Sequence, residues 1–228
     1  MRVAAPSAMR IAMFLLLAGC GLDQPDLDES THALVGPFRP LSSARSTRAA
    51  ASLVDPAGTL SDADLITAPD AGPFTAEASA GVARGKITAA GVTTHESSLD
   101  GVAFRVATHC DANANLADVE TESAAASCGD SYAVSFELLR PAKVTLAATI
   151  SSFRTGYGGG SGEITLIQDG TPIVSIQSDN ESVHETSILV PGRYELTATS
   201  GGSANAFYDT TFSAVTVDLE VWLVARSR

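Results

Sequence analysis

The stretch VTVDLEVWL, residues 215–223, decides the fold class. Its apolar side chains stand at every second position: Val215, Val217, Leu219, Val221 and Leu223. The positions between them carry Thr216, Asp218, Glu220 and Trp222. Because successive side chains of a β-strand point to opposite faces of a sheet, this alternation predicts a strand with one buried and one exposed face.

The same period of two recurs upstream and indicates an all-β domain. Apolar and polar residues alternate over residues 102–106, 132–138, 144–150, 164–166 and 194–198. Turn signals separate these runs: Asp169-Gly170, Pro191-Gly192, a glycine-rich loop over residues 155–162, and Ser200-Gly201-Gly202 after the fifth run. Seven to nine strands without an amphipathic helix predict an antiparallel β-sandwich of the jelly-roll type over residues 76–228.

Composition excludes several classes of protein. The 228 residues include 14 Lys and Arg against 26 Asp and Glu, a net charge of −12, so a nucleic-acid partner is not expected. Hydrophobic residues make up 45% of the chain, which is enough to form a core. No apolar run reaches about 18 residues, which excludes a polytopic helical membrane protein.

Residues 1–19 have the pattern of an export signal. Arg2 and Arg10 supply positive charge, and residues 11–17 form an apolar run that is too short to cross a bilayer. Small residues follow this run and lead to a cysteine, in the order Leu17-Ala18-Gly19-Cys20. An ordinary signal peptide followed by a chance cysteine is the alternative.

The segment Leu17-Ala18-Gly19-Cys20 resembles the lipobox of bacterial lipoproteins at all four positions. The resemblance implies cleavage before Cys20, a diacylglyceryl thioether on its sulfur and acylation of its new amine. The implied partner is therefore a membrane, and the implied location is the bacterial cell envelope. In enterobacteria, an Asp directly after the lipidated cysteine favours retention in the inner membrane. This chain has Gly21 at that position, which favours the outer membrane.

Residues 20–75 read as an acidic tether between the lipid and the domain. Six of the ten prolines lie there, and aromatic residues are limited to Phe38 and Phe74. Such a segment buries too little apolar surface to offset the entropy lost on ordering. Within it, the alanines of residues 46–54 predict a short helix.

Two cysteines, Cys110 and Cys128, remain once Cys20 is assigned to lipid. An exported chain meets an oxidising compartment, which favours a disulfide between them. Two unpaired thiols are the alternative.

The segment VPGRYEL, residues 190–196, is similar to the x-P-G-x-Y-x-L signature of exported bacterial β-sandwich modules. These modules include pre-peptidase-like and CUB-like jelly rolls. The resemblance spans residues 74–228 in outline and implies a fold and no chemistry, since the motif encodes the entry of a strand.

One segment has the spacing of a calcium loop. Asp111, Asn113, Asn115 and Glu122 match positions 1, 3, 5 and 12 of an EF-hand loop, where oxygen ligands converge on the ion. Leu116 stands where the sharp turn requires glycine, and no helical pattern flanks the segment. A polar loop closed by the disulfide is the alternative, and no other cofactor is expected.

Enzymatic motifs are incomplete. His95, His109 and His184 lack the second histidine of a zinc motif and are predicted to be scattered surface residues. The segment around Ser161 does not match the G-x-S-x-G pattern of a nucleophile elbow, because Glu163 follows Gly160-Ser161-Gly162 where the final glycine is required. We therefore expect no catalysis, and a cryptic hydrolase is the least favoured alternative.

Exposed aromatic side chains point to ligand binding. Trp222 is out of phase with the apolar face of its strand, Tyr157 lies in the glycine-rich segment, and Tyr208 precedes the last strand. Aromatic faces of this kind stack on sugar rings; the alternative is that Trp222 packs under the tether or at a sheet edge. The sequence thus predicts a lipoprotein that binds glycan or protein. The alternative is a structural or assembly component recognised through an exposed sheet edge.

Overall fold

The protein is a two-layer β-sandwich, as the computed structural model shows for residues 36–69, 72–116, 122–207 and 212–226. The predicted signal segment, the segment that resembles a lipobox and Cys20 lie outside these residues. The twelve strands are β1 (Phe38–Asp55), β2 (Gly58–Thr67), β3 (Phe74–Arg84), β4 (Ile87–Leu99), β5 (Ala103–Asn115), β6 (Ser123–Leu138), β7 (Ala142–Thr155), β8 (Tyr157–Gln168), β9 (Thr171–Ser178), β10 (Asn180–Leu189), β11 (Gly192–Ala206) and β12 (Phe212–Arg226).

The strands form two six-stranded antiparallel sheets. Sheet 1 has the order β2-β1-β6-β11-β8-β9, and sheet 2 has the order β10-β7-β12-β5-β4-β3. The predicted antiparallel sandwich is therefore confirmed. The strand of residues 215–223 lies in the middle of sheet 2, between β7 and β5, and its five alternating apolar side chains are buried.

The predicted tether is wrong for residues 38–67. These residues form β1 and β2, and β1 pairs with β6 along almost its whole length. The predicted helix over residues 46–54 is also wrong, because this segment is extended within β1. Every second residue of it faces the other sheet, from Arg45 to Leu53. The described domain thus begins near residue 36.

The glycine-rich segment is a strand and not a loop. β8 begins at Tyr157, and a tight turn at Gly156, with φ of 59°, joins it to β7. A Cβ atom at Gly158 would lie 2.3 Å from the carbonyl oxygen of Ala214, and one at Gly160 would lie 2.3 Å from Val217 Cγ2. The glycines therefore let β8 pack directly against the opposite sheet.

The interior changes character along the strands. At one end, which we call the aromatic end, the rings of Phe38, Phe104, Phe136 and Tyr194 pack together among leucines, isoleucines and valines. At the other, the alanine end, the buried side chains are mostly alanines: Ala49, Ala51, Ala78, Ala80, Ala89, Ala112, Ala114, Ala124, Ala126, Ala204 and Ala206. Small side chains bring the sheets closer together there.

The predicted disulfide is confirmed. Cys110 on β5 and Cys128 on β6 are bonded, with their Cα atoms 5.4 Å apart. Because β5 belongs to sheet 2 and β6 to sheet 1, the bond joins the two layers. Both cysteines are buried among the alanines.

Candidate functional site

A groove of about 590 Å³ crosses the outer face of sheet 1. It extends from Leu65 on β2 to Gln177 on β9 and so touches every strand of the sheet. Its lining residues are mostly small or polar: Ser46, Arg48, Leu65, Gly129, Asp130, Ser131, Ser161, Gly162, Glu163, Gln177, Thr199, Ser200 and Gly201. Its volume lies in the range of ligand-binding clefts.

Two neighbouring cross-strand rows make the floor of the groove. In one row Arg48, Gly129, Gly201 and Ser161 lie side by side on β1, β6, β11 and β8. The next row crosses the same four strands and consists of Ser46, Ser131, Thr199 and Glu163. Glycine and hydroxyl side chains leave the main chain of the central strands β6 and β11 close to the surface, which creates the depression.

Glycine at two of these positions shapes the groove in different ways. A Cβ at Gly129 would lie 3.1 Å from Arg48 Nε, so the Arg48 side chain lies across this glycine. A Cβ at Gly201 would have its nearest neighbour at 3.5 Å, an ordinary contact. A side chain at position 201 would therefore occupy the groove without a clash against the sheet.

Two charged groups stand on either side of this floor. Arg48 lies on β1 and Glu163 lies on β8, three strand spacings apart, or about 14 Å. A guanidinium donates hydrogen bonds and a carboxylate accepts them, and the hydroxyls between them do both. The groove is thus suited to an extended, polar, hydrogen-bonding ligand.

A buried polar belt separates the aromatic end from the alanine end. It consists of Arg45, Thr47, Thr93, His95, Ser97, Thr108, Asp130 and Ser200, which are all buried. Several of its hydrogen bonds cross between the sheets, such as the 2.8 Å contact of Thr108 Oγ1 with Ser200 Oγ. The belt passes beneath the groove, because Asp130 and Ser200 also line its floor.

Within the belt, four side chains form one hydrogen-bonded relay. Asp130 Oδ1 lies 2.8 Å from His95 Nδ1, and His95 Nε2 lies 2.7 Å from Ser97 Oγ. Arg45 Nη1 donates to the same Ser97 oxygen over 3.1 Å. The sequence does not indicate this constellation, and the predicted surface position of His95 is wrong, because only 1% of the residue is exposed.

The guanidinium fixes one end of the relay. Since Arg45 can only donate, Ser97 Oγ accepts from it, and the tautomer of the His95 ring sets the donor and acceptor roles toward Ser97 and Asp130. The order of groups resembles a catalytic triad, but the groove is lined by neither His95 nor Ser97. The relay therefore links the two sheets and connects a buried cation to a buried carboxylate.

Burial raises the pKa of Asp130, and the hydrogen bond and charge of His95 oppose that rise in part. Four buried side-chain oxygens of the described residues have no hydrogen-bond partner: Asp130 Oδ2, Thr47 Oγ1, Tyr132 Oη and, on β7, Thr155 Oγ1. Burial also raises the pKa of Tyr132. Thr47 pairs directly with Asp130 across β1 and β6, so these polar groups are concentrated around one point of the belt.

The predicted calcium loop is wrong in its geometry. Asp111, Asn113 and Asn115 lie on β5. They alternate with buried residues, so their side chains point toward the outer face of sheet 2. Side chains two residues apart on a strand are separated by about 6.6 Å, so three of them cannot wrap around one ion. Glu122 lies just before β6, in the other sheet. Among the described residues, no cluster of acidic, histidine or cysteine side chains suits a metal ion.

The predicted aromatic ligand surface is divided between the two sheets. Trp222 lies on the outer face of sheet 2, half-buried, with the Arg105 guanidinium 4.4 Å from its ring centre and its Nε1 donating to Glu220. Tyr157 lies on sheet 1, where its ring stacks on Phe207 at 5.0 Å. Tyr208 lies outside the described residues. The structure therefore does not bring Trp222 and Tyr157 into one site.

His109 and His184, the other two histidines among the described residues, are on the outer face of sheet 2. His109 Nδ1 contacts Asp218 Oδ1 at 2.6 Å, and this hydrogen bond raises the pKa of His109. His184 lies on the edge strand β10 and is exposed. Their predicted surface position is confirmed.

Comparisons with known proteins add little to this picture. No family model matches the chain, and no curated protein does. Among solved structures, a GH31 alpha-xylosidase from Xanthomonas citri shares 8% identity and a TM-score of 0.22. The match covers 86% of this chain and 37% of that enzyme, and a score this low supports no argument. No helix among the described residues is long and apolar enough to cross a membrane.

Proposed function

We propose that this protein is a non-catalytic, lipid-anchored binding module of the bacterial cell envelope, and that it binds a glycan in the groove of sheet 1. The groove on the central strands carries the proposal. Its floor of main chain and hydroxyls, with Arg48 and Glu163 on opposite sides, offers both donors and acceptors along an extended path. A polyhydroxylated chain is the ligand class that satisfies such an arrangement.

The position of the first strand limits how far the domain can lie from the proposed anchor. With lipid on Cys20 and β1 beginning at Phe38, residues 21–37 connect the membrane to the domain. These 17 residues reach at most about 60 Å when fully extended. The bound glycan would accordingly belong to the same membrane surface or to the layer next to it.

Two glycines allow a matched test of the groove. Gly201→Leu places a side chain in the groove, where the nearest atom to its Cβ is at 3.5 Å. Gly159→Leu places the same side chain on the same face of sheet 1, on β8, at a residue that does not line the groove and has no atom within 4 Å of its Cβ. Both variants are expected to fold.

A glycan array probed with the wild type should identify bound glycans, and calorimetry with the best of them should give the affinity. Gly201→Leu should lose binding by at least about tenfold, because the side chain excludes the ligand, and Gly159→Leu should retain it. An array without any bound glycan, or equal affinities of the two variants, would contradict the proposed site.

Lipidation is tested separately. Cells that express the full chain and are fed an alkynyl fatty acid should label the wild type, whereas the Cys20→Ser variant should remain unlabelled. Labelling of Cys20→Ser would show that the acyl group is on another residue, and an unlabelled wild type would show that the chain is not acylated.

A further inference from the structure

The two lateral sides of the sandwich differ: one is closed by side chains, and the other is open among the described residues. On one side the edge strands are β2 of sheet 1 and β3 of sheet 2. Asp64 Oδ2 accepts a hydrogen bond from the main-chain nitrogen of Ser79, and Asp62 Oδ2 accepts one from that of Gly81. Carboxylates of one sheet thus occupy the free edge of the other, and this side is closed.

The opposite side is open among the described residues. Its edge strands are β9 of sheet 1 and β10 of sheet 2, which follow each other in the chain with only Asp179 between them. β10 pairs with β7 on one side only. An edge strand of this kind presents a row of main-chain donors and acceptors to any strand that approaches.

An apolar recess of about 170 Å³ lies between the sheets at this open side. Ile173 and Val174 of β9 and Leu189 of β10 form its entrance, and Leu166 and Leu223 lie deeper. Ile173 is 42% exposed. A strand added to β10 would continue the inner face of sheet 2 and place its inward side chains over the recess.

We propose that the free edge of β10 binds an extended strand of a partner protein that is apolar and basic on its inward face. The residues of β10 define this preference. Positions 181, 183, 185, 187 and 189 face inward, since Val183, Glu185, Ser187 and Leu189 contact the core or the recess. Glu181 and Glu185 therefore offer two carboxylates to the partner strand, and Leu189 offers an apolar contact.

The same charges disfavour a second copy of this chain as the partner. Antiparallel pairing of two β10 strands would bring four glutamates into one short ribbon, and like charges on paired strands are destabilising. A strand with lysine or arginine opposite Glu181 and Glu185 removes that repulsion. The charge pattern thus selects a basic partner strand over self-association.

If the partner strand pairs antiparallel with β10, the side chains of β10 specify the sequence of a probe peptide. A nine-residue strand aligned from position 189 back to position 181 has its odd positions inward, with apolar side chains opposite residues 189, 187 and 183. Basic side chains then stand opposite Glu185 and Glu181. The probe is acetyl-Val-Thr-Val-Thr-Lys-Thr-Val-Thr-Lys-amide.

Binding of the labelled probe to the full chain is measured by fluorescence anisotropy. Only alternate amides of an added strand face its neighbour, so two N-methylated forms are compared, one methylated at the Thr positions and one at the Val and Lys positions. One of the two should bind at least about tenfold more weakly than the parent, because it loses several main-chain hydrogen bonds. Binding in which neither form is weakened would overturn the proposal, as would an absence of binding at millimolar peptide.

Substitutions in the protein test the inward face. Ile173→Ser at the recess should weaken the probe markedly, whereas Ile188→Ser, a matched change on the outer face of β10, should leave it unchanged. Glu185→Lys should weaken the lysine probe by about fivefold and strengthen a probe with Glu in place of Lys. Equal effects of the two isoleucine variants, with both melting like the wild type, would count against the recess. Gly201→Leu should not affect this probe, which separates the strand site from the glycan groove.

Discussion

Gly91 of β4 faces the carbonyl oxygen of Ser127 in the opposite sheet so closely that a Cβ atom at position 91 would lie 2.4 Å from that oxygen. The same Cβ would lie 3.3 Å from the carbonyl oxygen of Ala50. Real Cβ atoms do not approach main-chain oxygen at 2.4 Å, so the separation of the sheets at the alanine end depends on glycine at this position.

Gly91→Ala should therefore lower the free energy of unfolding by about 1–3 kcal/mol, because the two main chains must move apart. Gly81→Ala is the control, since the only atom near its Cβ, the carbonyl oxygen of Ala89, is 3.9 Å away. Urea unfolding of both variants measures the difference. A Gly91→Ala protein as stable as Gly81→Ala would show that the sheets adjust freely.

The buried carboxyl of Asp130 predicts a specific pH dependence. In the native protein its pKa is raised above the ordinary value of 3.8. Between pH 3.8 and the native pKa, the native state therefore binds more protons than the unfolded state. Consequently the contribution of this group to the free energy of unfolding is largest below pH 3.8 and falls as the pH rises through the native pKa.

Asp130→Asn removes the titrating group and keeps an oxygen that can accept from His95. The difference in unfolding free energy, wild type minus variant, should therefore decrease as the pH is raised from 3 toward neutrality. Urea midpoints of both proteins across that range give this difference. A difference that rises with pH would mean that the pKa of Asp130 is lowered in the folded protein.

The fold was predictable where one face of a strand is large and apolar. Residues 215–223 contrast valine and leucine with polar neighbours, and the structure buries that face as expected. β1 lacks this contrast, since it turns Arg45, Thr47, Ala49 and Ala51 inward, two polar side chains and two small ones. Its period of two is present in the structure and almost invisible in the sequence.

The candidate site was hidden for a related reason. Gly129 and Gly201 suggest turns in a sequence, and Ser200-Gly201-Gly202 predicts the end of a strand. In the structure β11 continues to Ala206, and these glycines form the floor of a groove in the middle of the sheet. Glycine within a strand pattern can indicate close approach of another group, but it does not identify that group. The relay of His95 joins residues from three different strands, so no sequence motif indicates it.

The bond between Cys110 and Cys128 should stabilise the fold chiefly by restricting the unfolded chain. Closing a loop with a sequence separation of 18 contributes about 3 kcal/mol in the chain-entropy model. The double variant Cys110→Ala, Cys128→Ala should lose stability of this order in urea, and reductant should lower the melting temperature of the wild type but not of the variant. Cys20→Ser should respond to reductant as the wild type does.

The carboxylates that close the lateral side of the sandwich should protect it from association. Asp62 and Asp64 accept hydrogen bonds from the free edge of β3, and their removal exposes that edge to another molecule. The double variant Asp62→Ala, Asp64→Ala should form dimers or larger species with rising concentration, which light scattering detects. The double variant Glu77→Ala, Glu96→Ala, which removes two charges from exposed positions of β3 and β4, is the control for net charge. If both variants remain monomeric to the same concentration, the hydrogen bonds of Asp62 and Asp64 are not what protects the edge.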